Sequence, residues 1–512
     1  MKIFTGTPMT FTWSTLTYGD FLRHLNATTA YWAQDLRSHG LQRGNVVGIW
    51  LTGSVWMDLV HIYALSGAGF VPELFGLAFS AVIVHDLCQV SGAKALIYDP
   101  SFGSEVSQAQ WDHPVLCLPG ESFGTPDRIN ELSIVSDDDV AMIVHTSGTT
   151  SGRPKPIPQT HRWLKGLTRS SDSILQGSFP TGSDIYNNTG SFASIAAASC
   201  ILVLTRSGSC LVQTSGREIG AEEFLAMVRD CGLNRLAQYA PWLSKLISVA
   251  RQRPDVLEAL RGLRQVAYTG ASISTEDEKW AIEQGIPITQ LYSTTECGTC
   301  MVADLASKEP YLRISRGLTC RMILAEADGR PDLSGATTPL RLYDFFVPAD
   351  CDHCPHRSVR NRPDGHVTGD LFQEVKPGCY LFRGRNDDWI RTGGNPAFCD
   401  TKAIEDNVRK TCSDIVHNCV VVGHHKPFPV LLAEPTDASA GESELSLKNE
   451  IIRRTAPFND QLLSHEKITT PSALLLVPCG TLPRTTEKGN IRRKATEEIF
   501  YFELAQIYAS AS

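Results

Sequence analysis

Thr146, Ser147, Gly148, Thr149, Thr150, Ser151 and Gly152 form an unbroken run of small residues behind the apolar stretch "AMIVH", with Lys155 just beyond it. Such a run offers hydroxyls and unshielded backbone N–H groups, which together can wrap an anionic phosphate. Lys155 adds a mobile positive charge, and Thr160 is placed to cap a following helix. The run is not a Walker A loop, because no Lys-Ser or Lys-Thr pair directly follows Gly152. Composition alone describes a surface loop equally well. Thr295 and Glu296 stand side by side in "LYSTTECG". Taken alone, a carboxylate there suits the first turn of a helix, beside a Thr cap. Asp370 closes "VTGD". Taken alone, an aspartate after glycine marks a turn.

These groups must be carried by regular elements. "TYGDFLRHLNATTAYWAQDLRSHG" has helical spacing and a glycine stop at Gly40, and "NVVGIWL" follows as a strand. "SVWMDLVHIYALSGAG" reads as a helix, and "AVIVHDLCQVSG" with "AKALIYD" repeats helix then strand. "AMIVHTS", "SCILVLT", "LNRLAQYA", "LRQVAYTG" and "ITQLYS" continue as short apolar strands. This alternation predicts an α/β protein with parallel sheets. From about residue 312 to 380 the texture changes to short strands and turn-rich pieces, which predicts an antiparallel appendage. An α+β unit follows "GRNDD", with a helix at "CDTKAIEDNVRK", three strands and a closing helix at "RRKATEEIFYFELAQIY". "TDASAGESELS" reads as a linker.

At 512 residues the chain exceeds one core, so two or three packed units are expected. A net charge of −8 argues against a nucleic-acid surface. No stretch reads as a membrane span and no secretory leader is evident, so a soluble cytoplasmic protein is expected. The fifteen cysteines are scattered, which favours reduced thiols. Cys297/Cys300 and Cys351/Cys354 have CxxC spacing, for which a structural zinc site is the alternative. A nucleotide-dependent oxidoreductase is disfavoured, because no GxGxxG follows an early strand.

Six segments, in order, resemble motifs of the adenylate-forming superfamily of acyl-CoA synthetases, nonribosomal peptide adenylation domains and luciferases. They are "TSGTTSGRPK", "YTGAS", "LYSTTECG", "VTGD", "FRGRNDDWIRTGGN" and "LPRTTEKGNIRRK". The texture is most similar to fungal nonribosomal-peptide-synthetase-like adenylation enzymes. The resemblance implies a large N-terminal domain, residues 1–386, of two doubly wound sheets plus a distorted antiparallel barrel. It implies a small mobile C-terminal domain, residues 387–512, hinged near Asp387. It further implies ATP-dependent conversion of a carboxylic acid to acyl-AMP with Mg²⁺ and release of pyrophosphate, then transfer to a thiol.

In that scheme residues 146–155 hold the β- and γ-phosphates, Thr295 meets the α-phosphate and Glu296 holds Mg²⁺. Gly270, Ala271, Ser272, Tyr292 and Ser293 line the nucleotide site. Asp370 grips the ribose, Arg385 lies at ribose and phosphate, and Lys488 is the catalytic lysine, with Lys494 second. Gly393 and Gly394 let a pantetheine arm approach. Asn187, Asn188, Tyr239, Trp242 and Tyr268 are the expected acid pocket, although aromatics at such spacing also fill cores. Four departures stand out: Ser293 replaces glycine, Arg391 replaces lysine, Gly44-Asn45 stands for the usual G-D, and Lys488 precedes Gly489 rather than following it. No F-D-x-S segment is present to pair an α-ammonium group, so a non-amino acid, aryl or related, is expected. No carrier serine follows the final helix, which implies CoA or a separate carrier protein as acceptor, in secondary metabolism. The alternative is a degenerate adenylation fold that binds nucleotide or a partner without turnover.

Overall fold

The structure is a computed structural model. It describes the chain apart from residues 8–9, 78, 119–134, 147–153, 176–181, 189, 217, 306–308, 332–338, 387–388, 393–397, 437–442, 485–490 and 511–512. The first sheet has six strands in the order Val115–Cys117, Ala95–Tyr98, Val46–Trp50, Val71–Phe75, Val140–His145, Pro156–Thr160. All neighbours are parallel except the last pair, a hairpin in which His145 faces Pro156. The central strand "VVGIW" is apolar throughout, as a strand covered on both faces must be. The helix Tyr18–Ser38 covers it, started by a capping box between Thr17 and Asp20.

The second sheet has thirteen strands. Its parallel part runs Ile288–Thr294, Gln265–Thr269, Arg235–Tyr239, Ile185–Asn187, Cys210–Val212, Lys2–Phe4, with Trp13–Thr15 antiparallel at the edge. On the other side Ile288–Thr294 pairs antiparallel with Gly298–Ala303. From there the ladder continues through Leu312–Ile314, Cys379–Arg385, Gly365–Lys376, Pro339–Pro348 and Arg321–Pro331. The antiparallel segment expected as a barrel is thus a direct extension of the second sheet, and no closing pair between its ends is recorded among the described residues.

From Ile390 onward the chain builds its own cores. One gathers Ile390, Ile404, Val408, Val421, Leu431 and Ile451, and another Val420, Val422, Leu432 and Leu504. They surround a three-stranded sheet, Val416–Val422, Val430–Pro435 and Leu474–Leu476, and the helix Thr401–Thr411 capped by Asp400. Trp389 instead packs with Leu342 and Leu371 of the second sheet. The chain therefore changes core between Trp389 and Ile390, next to the expected hinge residue Asp387, which lies outside the described residues.

Three elements differ from the sequence reading. "SCILVLT" lies inside the helix Ile195–Ser207, entered at Ser194 and stopped by left-handed Gly208. A short apolar run in a buried helix has no period that separates it from a strand. The end of the expected linker begins a helix, Glu444–Asn459, capped by Ser443. The closing helix is two helices, Arg493–Ile499 and Tyr501–Ser510, broken at Phe500. Among the described residues no helix is long and apolar enough to cross a membrane.

Candidate active site

Strand Ile288–Thr294 is the axis of the site. Tyr292 is buried on it, and its hydroxyl donates to Asp370 Oδ2 at 2.6 Å. The ring is held edge-on to Phe372 at 4.9 Å and to Phe345 at 5.7 Å. Burial, and then the Asp370 carboxylate, push the Tyr292 phenol well above its usual range, so it stays a donor. Arg385 is the register partner of Asp370 and sets Nη1 3.4 Å from Oδ1. Asp370 is 7% exposed and Arg385 40%, so the carboxylate is fixed while the guanidinium reaches out. Tyr292 is thus placed to orient Asp370, with its ring in the core.

The same strand leads into the turn Thr295-Glu296-Cys297, closed by Cys297 N donating to Thr294 Oγ1 at 3.0 Å. This is a hairpin turn, so the helix-start reading of Glu296 is set aside. Ser293 lies just beyond a bulge and shares a hydroxyl bond with Thr299 at 2.7 Å. Gly298 returns the chain at φ +69, and a Cβ there would lie 2.9 Å from the Trp163 ring, so a side chain would push the turn away. Gln159, buried on the strand returning from residues 147–153, donates from Nε2 to Thr295 O at 2.6 Å. That bond ties the loop's return strand to the Thr-Glu turn. Nothing in "PIPQTH" marks Gln159, because its partner is 136 residues away.

The Glu296 side chain is half-buried and makes no hydrogen bond or ion pair among the described residues. Its negative charge acts on His366, whose imidazole burial pushes below its usual range and whose Nδ1 is buried without a partner. A carboxylate left unpaired beside the return strand of the expected phosphate loop has the donor chemistry of a Mg²⁺ ligand, since that ion takes oxygen donors. The rest of the expected phosphate loop is seen only at its neck. Thr146 N donates to Lys155 O at 3.2 Å, and Lys155 is exposed. Thr160 caps the helix His161–Ile174, accepting from Trp163 N at 3.1 Å. Ser147, Gly148, Thr149, Thr150, Ser151, Gly152, Asp387, Gly393, Gly394 and Lys488 lie outside the described residues. Lys494 is described, inside the helix Arg493–Ile499.

The expected acid pocket divides. Tyr239 ends its strand and stands 5.4 Å edge-on to Trp242, which follows on the next helix. Its ring is wedged between Gly190 and Gly270, both at positive φ, where an added Cβ would come within 2.9 Å of it. Gly270, Ala271 and Ser272 are exposed at the end of strand Gln265–Thr269, and Ser272 Oγ accepts from Gln290 at 3.1 Å. These groups lie at the carboxyl ends of parallel strands, where open α/β sheets bind ligands. Tyr268 does not join them. It is 1% exposed in the core beneath the helices, with its hydroxyl on Glu278 at 2.7 Å, because alternation turns it to the opposite direction from a pocket.

Asn187 and Asn188 are likewise not at a pocket mouth. The Asn187 amide brackets Ala237, donating to its carbonyl at 2.9 Å and accepting from its N–H at 2.8 Å. Asn188 accepts from Thr214 N at 2.8 Å and donates to Gly190 O at 2.8 Å. Both are 3% exposed and serve as backbone pins, since a buried backbone group must find a partner.

The two CxxC pairs converge. Cys297, Cys300, Cys351 and Cys354 share one buried cluster with Cys320. Both ring nitrogens of His353 are engaged there: Nδ1 meets Cys297 O at 2.9 Å and Nε2 meets Ser170 Oγ at 3.1 Å. All these cysteines are free, and no group of three or more metal-ligating side chains with a suitable arrangement is found among the described residues.

Comparison with known proteins follows the same geometry. The family model described as AMP-binding enzyme matches residues 4–332, and that of the AMP-binding enzyme C-terminal domain matches residues 398–512. The chain is 32% identical to the AMP-binding domain-containing enzyme iboA of Amanita muscaria over 92% of both chains. It is 24% identical to the adenylate-forming reductase Nps11 of Serpula lacrymans var. lacrymans over 73% of this chain, but spans 34% of that relative's length. In fold it is similar to O-succinylbenzoate coenzyme A synthetase of Bacillus subtilis in complex with ATP and magnesium ion. The TM-score is 0.73 at 16% identity, over 94% of this chain and 95% of that one.

Proposed function

Because this chain belongs to the AMP-binding enzyme family and is an adenylate-forming ligase, we propose that it activates a non-amino carboxylic acid, aryl or related, with ATP and Mg²⁺. The acyl-AMP then passes its acyl group to the thiol of CoA or of a separate carrier protein, in secondary metabolism. The observation that carries this reading is strand Ile288–Thr294. It places Tyr292 on Asp370 and leads into the Thr295-Glu296 turn that Gln159 ties to the loop's return strand. Ribose, α-phosphate and cation ligands thereby share one rigid support.

The chemistry asks for charge neutralisation and in-line alignment, because a carboxylate and a triphosphate repel. In this reading the loop from Thr146 to Lys155 binds the outer phosphates, Thr295 donates to the α-phosphate and Asp370 accepts the ribose hydroxyls. Arg385 adds positive charge from the exposed side. Mg²⁺ held by Glu296 would neutralise phosphate charge. Tyr239 and Trp242 give the acid an aromatic wall, which supports an aryl substrate. The core change beside Trp389 supports a domain boundary near Asp387.

Mass spectrometry tests the function: ATP with a panel of acids, with and without CoA or a phosphopantetheinylated carrier. Acyl-AMP from an aryl acid is expected, with thioester only when a thiol is added. Turnover confined to α-amino acids would refute the substrate class. Nucleotide binding without any pyrophosphate release would favour the degenerate reading. Glu296→Gln is expected to slow acyl-AMP formation by about 100-fold, without recovery at excess acid. Wild-type activity of that variant at ordinary Mg²⁺ would leave Glu296 a turn residue.

A further inference from the structure

His145 is the last residue of strand Val140–His145, directly before Thr146. Its ring Nε2 lies 3.0 Å from Glu73 Oε1 and its Nδ1 lies 2.9 Å from Leu74 O. The other Glu73 oxygen accepts from Ser91 Oγ at 2.5 Å. A carbonyl and a carboxylate are both acceptors, so the pair must hold a proton for each contact, whether on both ring nitrogens or partly on the carboxyl. The side chains are 2% and 0% exposed. The imidazole stacks on Phe75 at 4.9 Å and meets Phe79 edge-on at 5.6 Å. Every polar atom is therefore engaged and the ring is packed against two aromatic side chains, which holds it in one orientation.

A buried imidazole–carboxyl pair is a costly way to fill a core, since apolar residues of similar volume do so with no desolvation penalty. Its distinctive property is direction: it fixes one strand end against its neighbour. Here the neighbour is Val71–Phe75, whose pairing with Val140–His145 is recorded only at Glu73 and Ile143. The side-chain pair adds a second tie between the two strands, at the end from which Thr146 departs. The neck is then closed by Thr146 N on Lys155 O, and the return strand is tied to Thr295 through Gln159.

We propose that Glu73 and His145 are positioning residues for nucleotide triphosphate binding: they aim the neck at residues 145–146 so that the loop meets the outer phosphates. The proposal rests on the reading that residues 146–155 hold the phosphates. It assigns the pair a contribution to ATP capture and none to capture of the acid.

The test compares three variants of the full chain in pyrophosphate release, with KM measured separately for ATP and for the acid, and with Tm. Glu73→Leu combined with His145→Phe replaces the pair by apolar side chains that keep the core filled. Its Tm is expected near wild type, its KM for the acid unchanged, and its KM for ATP raised by about tenfold. Glu73→Gln keeps the shape and is expected to raise the KM for ATP by about threefold; it carries the test alone should the double variant fail to fold. Thr149→Val with Thr150→Val reports on the loop itself. A raised KM for ATP in the loop variant with none in the pair variants overturns the pair's role and leaves the loop reading standing. An unchanged KM for ATP in all three overturns both. Equal rises in the two KM values of a pair variant identify a general packing role and overturn the proposal.

Discussion

Lys488→Ala is expected to lower acyl-AMP formation by about 10²–10³-fold, while acyl transfer from supplied acyl-AMP proceeds at the wild-type rate. An ammonium near the substrate carboxylate and the α-phosphate stabilises charge that develops only as the acyl phosphate forms, and the thioester step has no such need. Lys488 lies outside the described residues, but its surroundings bear on the argument. Arg484 and Ile491, on either side of it, pair in an antiparallel bridge, and Arg492 N donates to Pro483 O at 2.8 Å. Glu434, fully buried, accepts from Leu482 N at 2.9 Å and from Arg484 Nη2 at 3.2 Å. Arg484 and Ile491, which flank the lysine in sequence, are thus anchored within the C-terminal unit. Asp387→Pro, which would fix φ at the proposed hinge, is expected to spare adenylation and block transfer. Rapid-quench measurement of the two half-reactions separates these outcomes. Normal adenylation by Lys488→Ala together with its loss in Lys494→Ala would transfer the catalytic role to Lys494.

Asp370→Asn is expected to raise the KM for ATP by about 10–100-fold, the equivalent of losing a charged hydrogen bond of about 1.5–3 kcal/mol. The asparagine can still accept from Tyr292, so its Tm should stay near wild type. Asp370→Ala should bind ATP no better and should also lose about 1–3 kcal/mol of stability, because the buried Tyr292 hydroxyl would lose its carboxylate acceptor among Phe345 and Phe372. Calorimetry of ATP binding and thermal melts read the two effects apart. Wild-type ATP affinity in Asp370→Asn would remove Asp370 from the nucleotide site.

The features legible in the sequence were those written locally. Thr17, Thr160 and Asp400 announce helix starts because a cap acts within three residues. The Thr-Glu and Gly-Asp motifs were legible as short strings, and the fold brings both to the strand Ile288–Thr294 through Tyr292. What was not legible is what distant backbone does to a side chain. Asn187 looks like a ligand group until Ala237, fifty residues on, takes both ends of its amide. Tyr268 and Tyr239 look alike as pocket aromatics, yet one sits within a strand facing the helices and the other caps a helix at the strand's end. Gln159 and the Glu73–His145 pair have no local signature, because their partners come from other strands.

The thirteen-stranded ladder limits how this molecule can change its substrate over evolutionary time. Tyr239 stands on one side of strand Ile288–Thr294 and Asp370 on the other, with every intervening strand hydrogen-bonded to the next. A backbone shift that widened the Tyr239 side, the proposed acid pocket, would be carried across the ladder to Asp370. In the proposed reading, new acids are accommodated by exchanging side chains such as Tyr239 and Trp242 at the strand ends, where the Tyr239 ring fills the space that Gly190 and Gly270 leave by lacking a Cβ. A smaller residue at 239 would open space without moving a single ladder bond. Engineering of this scaffold should start there.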